Sequence, residues 1–170
     1  PLYSGSIEYQ THVQDTGWQG WKANGQMAGT SGQSKRLEAI RIKLTGEMAK
    51  QYDIYYRVHS QEFGWLGWAK NGESAGTAGY SYRLEAIEVK LVEKGGKAPG
   101  STQDAYRQRY VSYQTHVQDI GWQGIKYDGE EAGTSGQSKR LEAINISLSN
   151  PLYSGSIEYQ THVQDIGWQG

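Results

Sequence analysis

The chain has no cysteine among its 170 residues. Disulfides and thiolate metal sites are therefore excluded. Phenylalanine occurs once, against 6 Trp and 13 Tyr. Hydrophobic residues make up 36% of the chain and mean hydropathy is -0.76, so any core must be economical. No apolar run reaches the length of a membrane-crossing helix, and no basic amphipathic helix is visible. Membrane insertion and membrane-surface binding thus lack sequence support. Formal net charge is -1 and the pI is ≈ 6.5. A nucleic-acid backbone calls for a basic stripe, which is missing, so no nucleic-acid partner is expected. No signal peptide is visible at Pro1-Leu2-Tyr3-Ser4, which offers neither a charged start nor an apolar stretch.

What the chain does have is repetition. Tyr9-Gln10-Thr11-His12-Val13-Gln14-Asp15-Thr16-Gly17-Trp18 returns as Tyr56-Arg57-Val58-His59-Ser60-Gln61-Glu62-Phe63-Gly64-Trp65. It returns again as Tyr113-Gln114-Thr115-His116-Val117-Gln118-Asp119-Ile120-Gly121-Trp122, and a fourth copy starts at Tyr159. Residues 1–20 and 151–170 differ only where Thr16 becomes Ile166. The expectation is an excerpt of a longer array, with any export signal upstream. Such chains make one structural unit several times and pack the units on each other. Repetition also duplicates any surface site, which favours a multivalent binder over an enzyme with one asymmetric constellation.

Each copy reads as strands and turns. In the stretch 7–14, Ile7, Tyr9, Thr11 and Val13 alternate with Glu8, Gln10, His12 and Gln14. Period two marks a half-buried strand with the first set inward. Asn24-Gly25, Asn71-Gly72 and Asp128-Gly129 carry the signal of a type I′ turn. Ala28-Gly29-Thr30, Ala75-Gly76-Thr77 and Ala132-Gly133-Thr134 read as a short strand or tight bend whose Gly permits close backbone approach or positive φ. Ile40, Ile42 and Leu44 alternate inward, while Leu37 is out of phase, which predicts a bulge near Ala39. Arg-Leu-Glu-Ala-Ile is helix-friendly by propensity. The third copy nevertheless runs on as Ile144-Asn145-Ile146-Ser147-Leu148, with poor helix formers at the exposed positions. Strand is the preferred reading.

The expected fold is all-β, three repeats around a pseudo-threefold axis in a closed, β-prism-like architecture, with a β-trefoil as the alternative. The repeats span 7–46, 54–92 and 111–149, with a Gly-, Lys- and Pro-containing linker over 93–109 and a partial fourth repeat at 151–170. Together they are read as one binding domain. The tail lacks its own turn and last strand, so it is expected to complete a unit within the chain or by strand exchange in a homo-oligomer. Trp21 and Trp68 are matched by Ile125, an interchange of large apolar groups that predicts a core position.

Candidate ligand-binding residues recur in each copy: His12, Gln14 and Trp18; His59, Gln61 and Trp65; His116, Gln118 and Trp122. His and Gln two residues apart share the polar strand face and offer donors and acceptors suited to sugar hydroxyls. Each Trp can stack on a sugar ring, although core packing is the preferred reading. The His residues, with His162, fit a hydrogen-bonded structural role as well as a binding one. No local His/Asp/Glu cluster supplies a metal site, and no nucleophile or held water is signalled for a base. Arg36/Glu38, Arg83/Glu85 and Arg140/Glu142 read as cross-strand ion pairs of small net worth. A glycosidase needs two distinct acids, and each copy offers the same single Glu. Gly-Thr-Ser-Gly-Gln-Ser-Lys lacks the spacing and following helix of a phosphate loop. No catalytic residue, metal or cofactor is expected.

Tyr-x-x-His-x-Gln, Gly-Trp, Asn/Asp-Gly, Ala-Gly-Thr-x-Gly and Arg-Leu-Glu-Ala-Ile together resemble the ChW repeat, the clostridial hydrophobic repeat with a characteristic Trp. The resemblance implies an extracellular or cell-wall location in Gram-positive bacteria, or release by their phages. It implies a place beside lytic enzymes such as endolysins, hydrolases and adhesins. The expected partner is a cell-wall glycan or secondary wall polymer, with a surface protein as the second option.

Overall fold

A computed structural model of the chain describes residues 3–149 and 155–170. The start of the expected fourth repeat, 151–154, lies outside the described residues. The chain divides into two compact units, 1–108 and 109–170.

The first unit holds two repeats. The first contributes β1 (Ile7–Val13), β2 (Gly17–Trp18), β3 (Lys22–Ala23) and β4 (Leu37–Leu44). A four-residue helical turn, α1 (Met48–Gln51), leads into the second. That repeat contributes β5 (Tyr52–Ser60), β6 (Gly64–Trp65), β7 (Ala69–Lys70), β8 (Ala75–Ala78) and β9 (Leu84–Glu93). The stretch read as a linker carries a further strand, β10 (Tyr106–Gln108). The second unit holds β11 (Val111–Val117), β12 (Gly121–Trp122), β13 (Lys126–Tyr127) and β14 (Leu141–Leu148), then the tail hairpin β15 (Thr161–Val163) and β16 (Gly167–Gln169). The all-β reading holds: α1 is the only helical segment among the described residues.

Every complete copy builds the same sheet. Its first long strand lies in the middle, antiparallel to the last strand on one edge and to the two short strands on the other. Three local devices set this register. Asn24 and Gly25 have φ of 46° and 85°, and Gln26 N–H closes the turn on Ala23 O at 3.0 Å. Positive φ at both central positions is the type I′ signature. The turn also fastens the central strand, because Asn24 Oδ1 accepts from Ile7 N–H at 3.2 Å. Asn71 and Asp128 do the same for Ile54 and Val111, at 3.0 and 2.9 Å. The second device is a tyrosine whose hydroxyl donates to the carbonyl beyond this turn: Tyr9 to Gln26, Tyr56 to Glu73, Tyr113 to Glu130. The third is the bulge. His12 pairs with Ala39 and Val13 with Leu37, so Glu38 is the extra residue, one position before the expected place.

The core of the first unit lies between its two repeats. Ile42 of β4 packs with Ile54, Tyr56 and Val58 of β5 and with Leu66 and Ala75. The second repeat also lends a strand to the first: β8 pairs with the free edge of β4, and β10 adds to β8 in parallel. The result is a six-stranded sheet facing a four-stranded one. Position 11 of the pattern explains why this interface is apolar on one side. Thr11 and Thr115 donate to Gln19 and Gln123 across the sheet, at 3.2 and 3.5 Å. In the second copy the same two places are Val58 and Leu66, both in the core. None of the sheets closes on itself among the described residues, and neither the expected prism nor the trefoil is shown. The tail strands bond to each other and complete no other sheet there.

One expectation about the core is corrected. Of Trp21, Trp68 and Ile125, only Trp68 is buried; Trp21 and Ile125 are 40% and 55% exposed. Trp21 lies on the surface with Lys43 Nζ 4.3 Å above its ring. Apolar interchange at this position therefore tracks a surface position in two of the three copies.

Candidate functional site

The central strand of each copy ends in a tight turn that folds a tryptophan back onto a histidine. Asp15 and Gly17 have φ of 58° and 79°, and Thr16 N–H closes on Val13 O at 3.1 Å. The reversal puts Trp18 directly opposite His12 in register, as it does Trp65 to His59 and Trp122 to His116. The rings meet edge to face at 5.4, 5.5 and 5.5 Å between centroids. The tail repeats the pair as His162 and Trp168 at 5.3 Å.

On the other side of the histidine, the bulge presents a carboxylate. Nδ1 of His12, His59 and His116 lies 3.1, 3.1 and 3.2 Å from Glu38, Glu85 and Glu142. The contact at His116 is a hydrogen bond. At His12 and His59 the carboxylate is at ion-pair distance but off the hydrogen-bond line, which leaves those Nδ1 atoms without a hydrogen bond. Each Glu is held in turn by the Arg two residues earlier, at 2.8, 2.8 and 3.3 Å. These ion pairs run along one strand, which corrects the cross-strand expectation. The cross-strand partner of the Glu is the His. Burial pushes the Glu38 carboxyl up, but His12 and Arg36 outweigh it and hold the group below its ordinary value.

The tryptophans are not core residues. Trp65 and Trp122 are 42% and 49% exposed, and Trp18 is half-buried. Arg41 stacks on Trp18 at 4.0 Å and Arg57 on Trp65 at 4.7 Å. These cations come from opposite strands of the same cross-strand pair, Gln10–Arg41 in one copy and Arg57–Glu88 in the other. The third copy has Gln114 and Asn145 there, so its ring lacks a guanidinium from that pair.

The three sites are alike in geometry and unlike in access. Side-chain exposure of His12 and Glu38 is 12% and 7%, against 34% and 34% for His59 and Glu85. His116 and Glu142 stand at 35% and 35%. The cause is β8, which pairs with Ala39 and runs along the bulge that carries Glu38. The glutamines join less closely than expected. Gln14, Gln61 and Gln118 each donate their backbone N–H to the carbonyl of Arg36, Arg83 and Arg140, and the Gln61 side chain also accepts from Arg83 at 3.2 Å.

Beside Trp65 the first unit opens a groove of ≈ 430 Å³, walled by Phe63, Trp68, Asp104 and Arg107. Arg57 stands between its two indoles, 4.7 Å from Trp65 and 5.1 Å from Trp68. The segment before β10 forms the opposite wall, with Trp68 N–H donating to Ser101 O at 2.8 Å. Among the described residues, no three His, Asp or Glu side chains gather where a metal ion could be held.

Such a chain is an all-β repeat protein with one polar–aromatic constellation written several times. The family model described as clostridial hydrophobic W (ChW) matches residues 12–46, 59–93 and 116–150, together more than half of the chain. The chain belongs to the ChW family, a family of repeat domains. No curated protein and no solved structure matches it.

Proposed function

We propose that the chain is a non-catalytic module that binds cell-wall carbohydrate through several weak sites. It would anchor an attached hydrolase or surface protein to a Gram-positive envelope, outside the cell. The observation that carries this reading is the recurrence of the Arg–Glu–His–Trp row at matched distances in three copies. Each row sets an indole beside a fixed carboxylate and guanidinium, a combination that can stack on a sugar ring and hydrogen-bond its hydroxyls. The second and third rows are the accessible ones, and the second borders the aromatic groove.

One row offers few desolvated contacts and should bind weakly. A polymeric wall presents its ligand many times, so engaging two rows raises avidity by roughly 10²–10⁴. The test is co-sedimentation with purified Gram-positive walls, before and after stripping of secondary polymers. Trp65→Ala with Trp122→Ala should abolish retention, and either change alone should weaken it. Undiminished retention of the folded double variant refutes the site. Retention only by a wall protein would favour the second reading, an adhesion module, which the exposed apolar residues of β9 also suit.

A further inference from the structure

The two repeats of the first unit show how one ChW copy receives another. The apolar stripe on the last strand of the first copy, Ile40, Ile42 and Leu44, is covered by the central strand of the second. The edge of that strand is covered by the Ala-Gly-Thr segment of the second, as β8. Gly76 is needed for this approach: a Cβ there would meet Glu38 O at 2.4 Å and Ala39 Cα at 2.7 Å.

The second copy has the same receiving strand, and among the described residues no strand pairs with its outer edge. Ile87, Val89 and Leu91 of β9 lie opposite Val58, Tyr56 and Ile54, so they share the core face. They are nonetheless 46%, 49% and 46% exposed. The outer edge of β9 bonds to no strand among the described residues. An exposed edge beside an apolar stripe is a template for another strand.

The donating segment pairs with no strand among the described residues and is already shaped, with Gly133 N–H held by Gln123 Oε1 at 2.9 Å. Gly133 has φ of 120° against 121° at Gly76, although 132–134 is not a strand among the described residues. The hydroxyl of Thr134 is buried without a hydrogen bond, whereas that of Thr77 in the paired segment donates to Tyr82 O at 3.4 Å. Val111 and Tyr113 stand where Ile54 and Tyr56 stand in the covering face, and are only half-buried. The chain leaves the first unit from β10, which sits beyond β8 in the other sheet and not beside β9. The open edge of β9 pairs with no strand of its own unit and is open to a second molecule.

We infer that β9 is a docking strand for the third repeat of a second copy of this chain. Its 132–134 segment pairs with the outer edge of β9, and its central strand covers Ile87, Val89 and Leu91. Both elements are present in every molecule, so the contact is heterologous and extends into chains of molecules. A third sheet placed there would also be the third side of a prism.

The test uses sedimentation velocity on the full chain, without wall material, from roughly 1 to roughly 100 µM, the range over which weak interfaces load. It is therefore independent of the carbohydrate reading. The wild type should grow in size with concentration. Val89→Lys should stay monomeric with an unchanged circular dichroism spectrum, because the side chain it replaces is exposed. Ala132→Asp blocks the donor and should stay monomeric too. An equimolar mixture of the two variants keeps one intact donor and one intact acceptor, so it should form dimers and stop there. A monomeric wild type at every concentration overturns the inference, as does undiminished association of Val89→Lys, or a mixture that stays monomeric.

Discussion

The repeats supply their own controls for the close approach of β8. A Cβ at position 76 meets backbone at 2.4 and 2.7 Å, which no side-chain rotation relieves. At position 133 the backbone has nearly the same φ, but the nearest atom is Leu141 Cδ1 at 4.0 Å. Both Gly→Ala changes incur the cost of a left-handed backbone, about 1–3 kcal/mol. Only Gly76→Ala adds the cost of pushing two strands apart, and overpacking of this kind costs about 1–3 kcal/mol. The difference between the two variants should therefore be about 2 kcal/mol. A chain of two units does not promise one all-or-none transition, so native-state hydrogen exchange is the suitable assay. Opening of the β5 amides in Gly76→Ala should accelerate about thirtyfold more than opening of the β11 amides in Gly133→Ala, at roughly 1.4 kcal/mol per tenfold. Equal acceleration would show that β8 tolerates a side chain. The tight seat inferred for it would then be wrong.

The unequal burial of the three carboxylates predicts unequal costs. Glu38→Gln breaks a buried ion pair and should destabilise the first unit by about 3 kcal/mol, whereas Glu85→Gln and Glu142→Gln should each cost about 1 kcal/mol or less, read by the same exchange experiment. Asp53 is held at about 2, below its ordinary 3.8, chiefly by Lys94 and Asn71 against the opposing effect of burial. Its contribution is complete above the unfolded value and lost as pH falls from about 4 to about 2; allowing for the half-exposed Lys94 it amounts to about 1–2 kcal/mol. Asp53→Asn should flatten the acid limb of a urea-midpoint profile by that amount, and an unchanged limb would refute the assignment. Burial raises the Tyr56 hydroxyl to about 12 from 10.0. Stability should therefore hold below the unfolded value and fall between about pH 10 and about pH 12, and Tyr56→Phe should remove that loss in an alkaline denaturation series.

Local chemistry was legible from the residues. Asn-Gly pairs, the two-residue alternation of β1 and the out-of-phase Leu37 each report a backbone state that a few neighbouring residues decide. The bulge was therefore found within one position of Ala39. Its consequence was not found, because the extra residue, Glu38, changes face only when the register against His12 is known. With that register, Arg36 and Glu38 cease to be a surface ion pair and become the support of the candidate site. The tail shows the same limit: its His162–Trp168 hairpin forms from local sequence alone, while what it packs against is a question of register.

Burial was the less legible layer, for a reason the repeat makes plain. Ile42 and Val89 occupy the same place in the pattern and have the same kind of side chain, yet one is 4% exposed and the other 49%. Nothing within a copy distinguishes them; the difference is whether a neighbour's central strand lies above. The sequence carries that information only as a departure from the repeat, at Val58 and Leu66, where the Thr–Gln pair of the other copies is lost. Giving up that hydrogen bond is favourable only where the pair is removed from water, since two apolar groups of matched shape can then replace both partners at little cost. Deviations from a repeat thus locate the interfaces between its copies. The retained Thr115–Gln123 pair leaves the third copy with a more polar face than the second, suited to a contact that forms and separates with concentration.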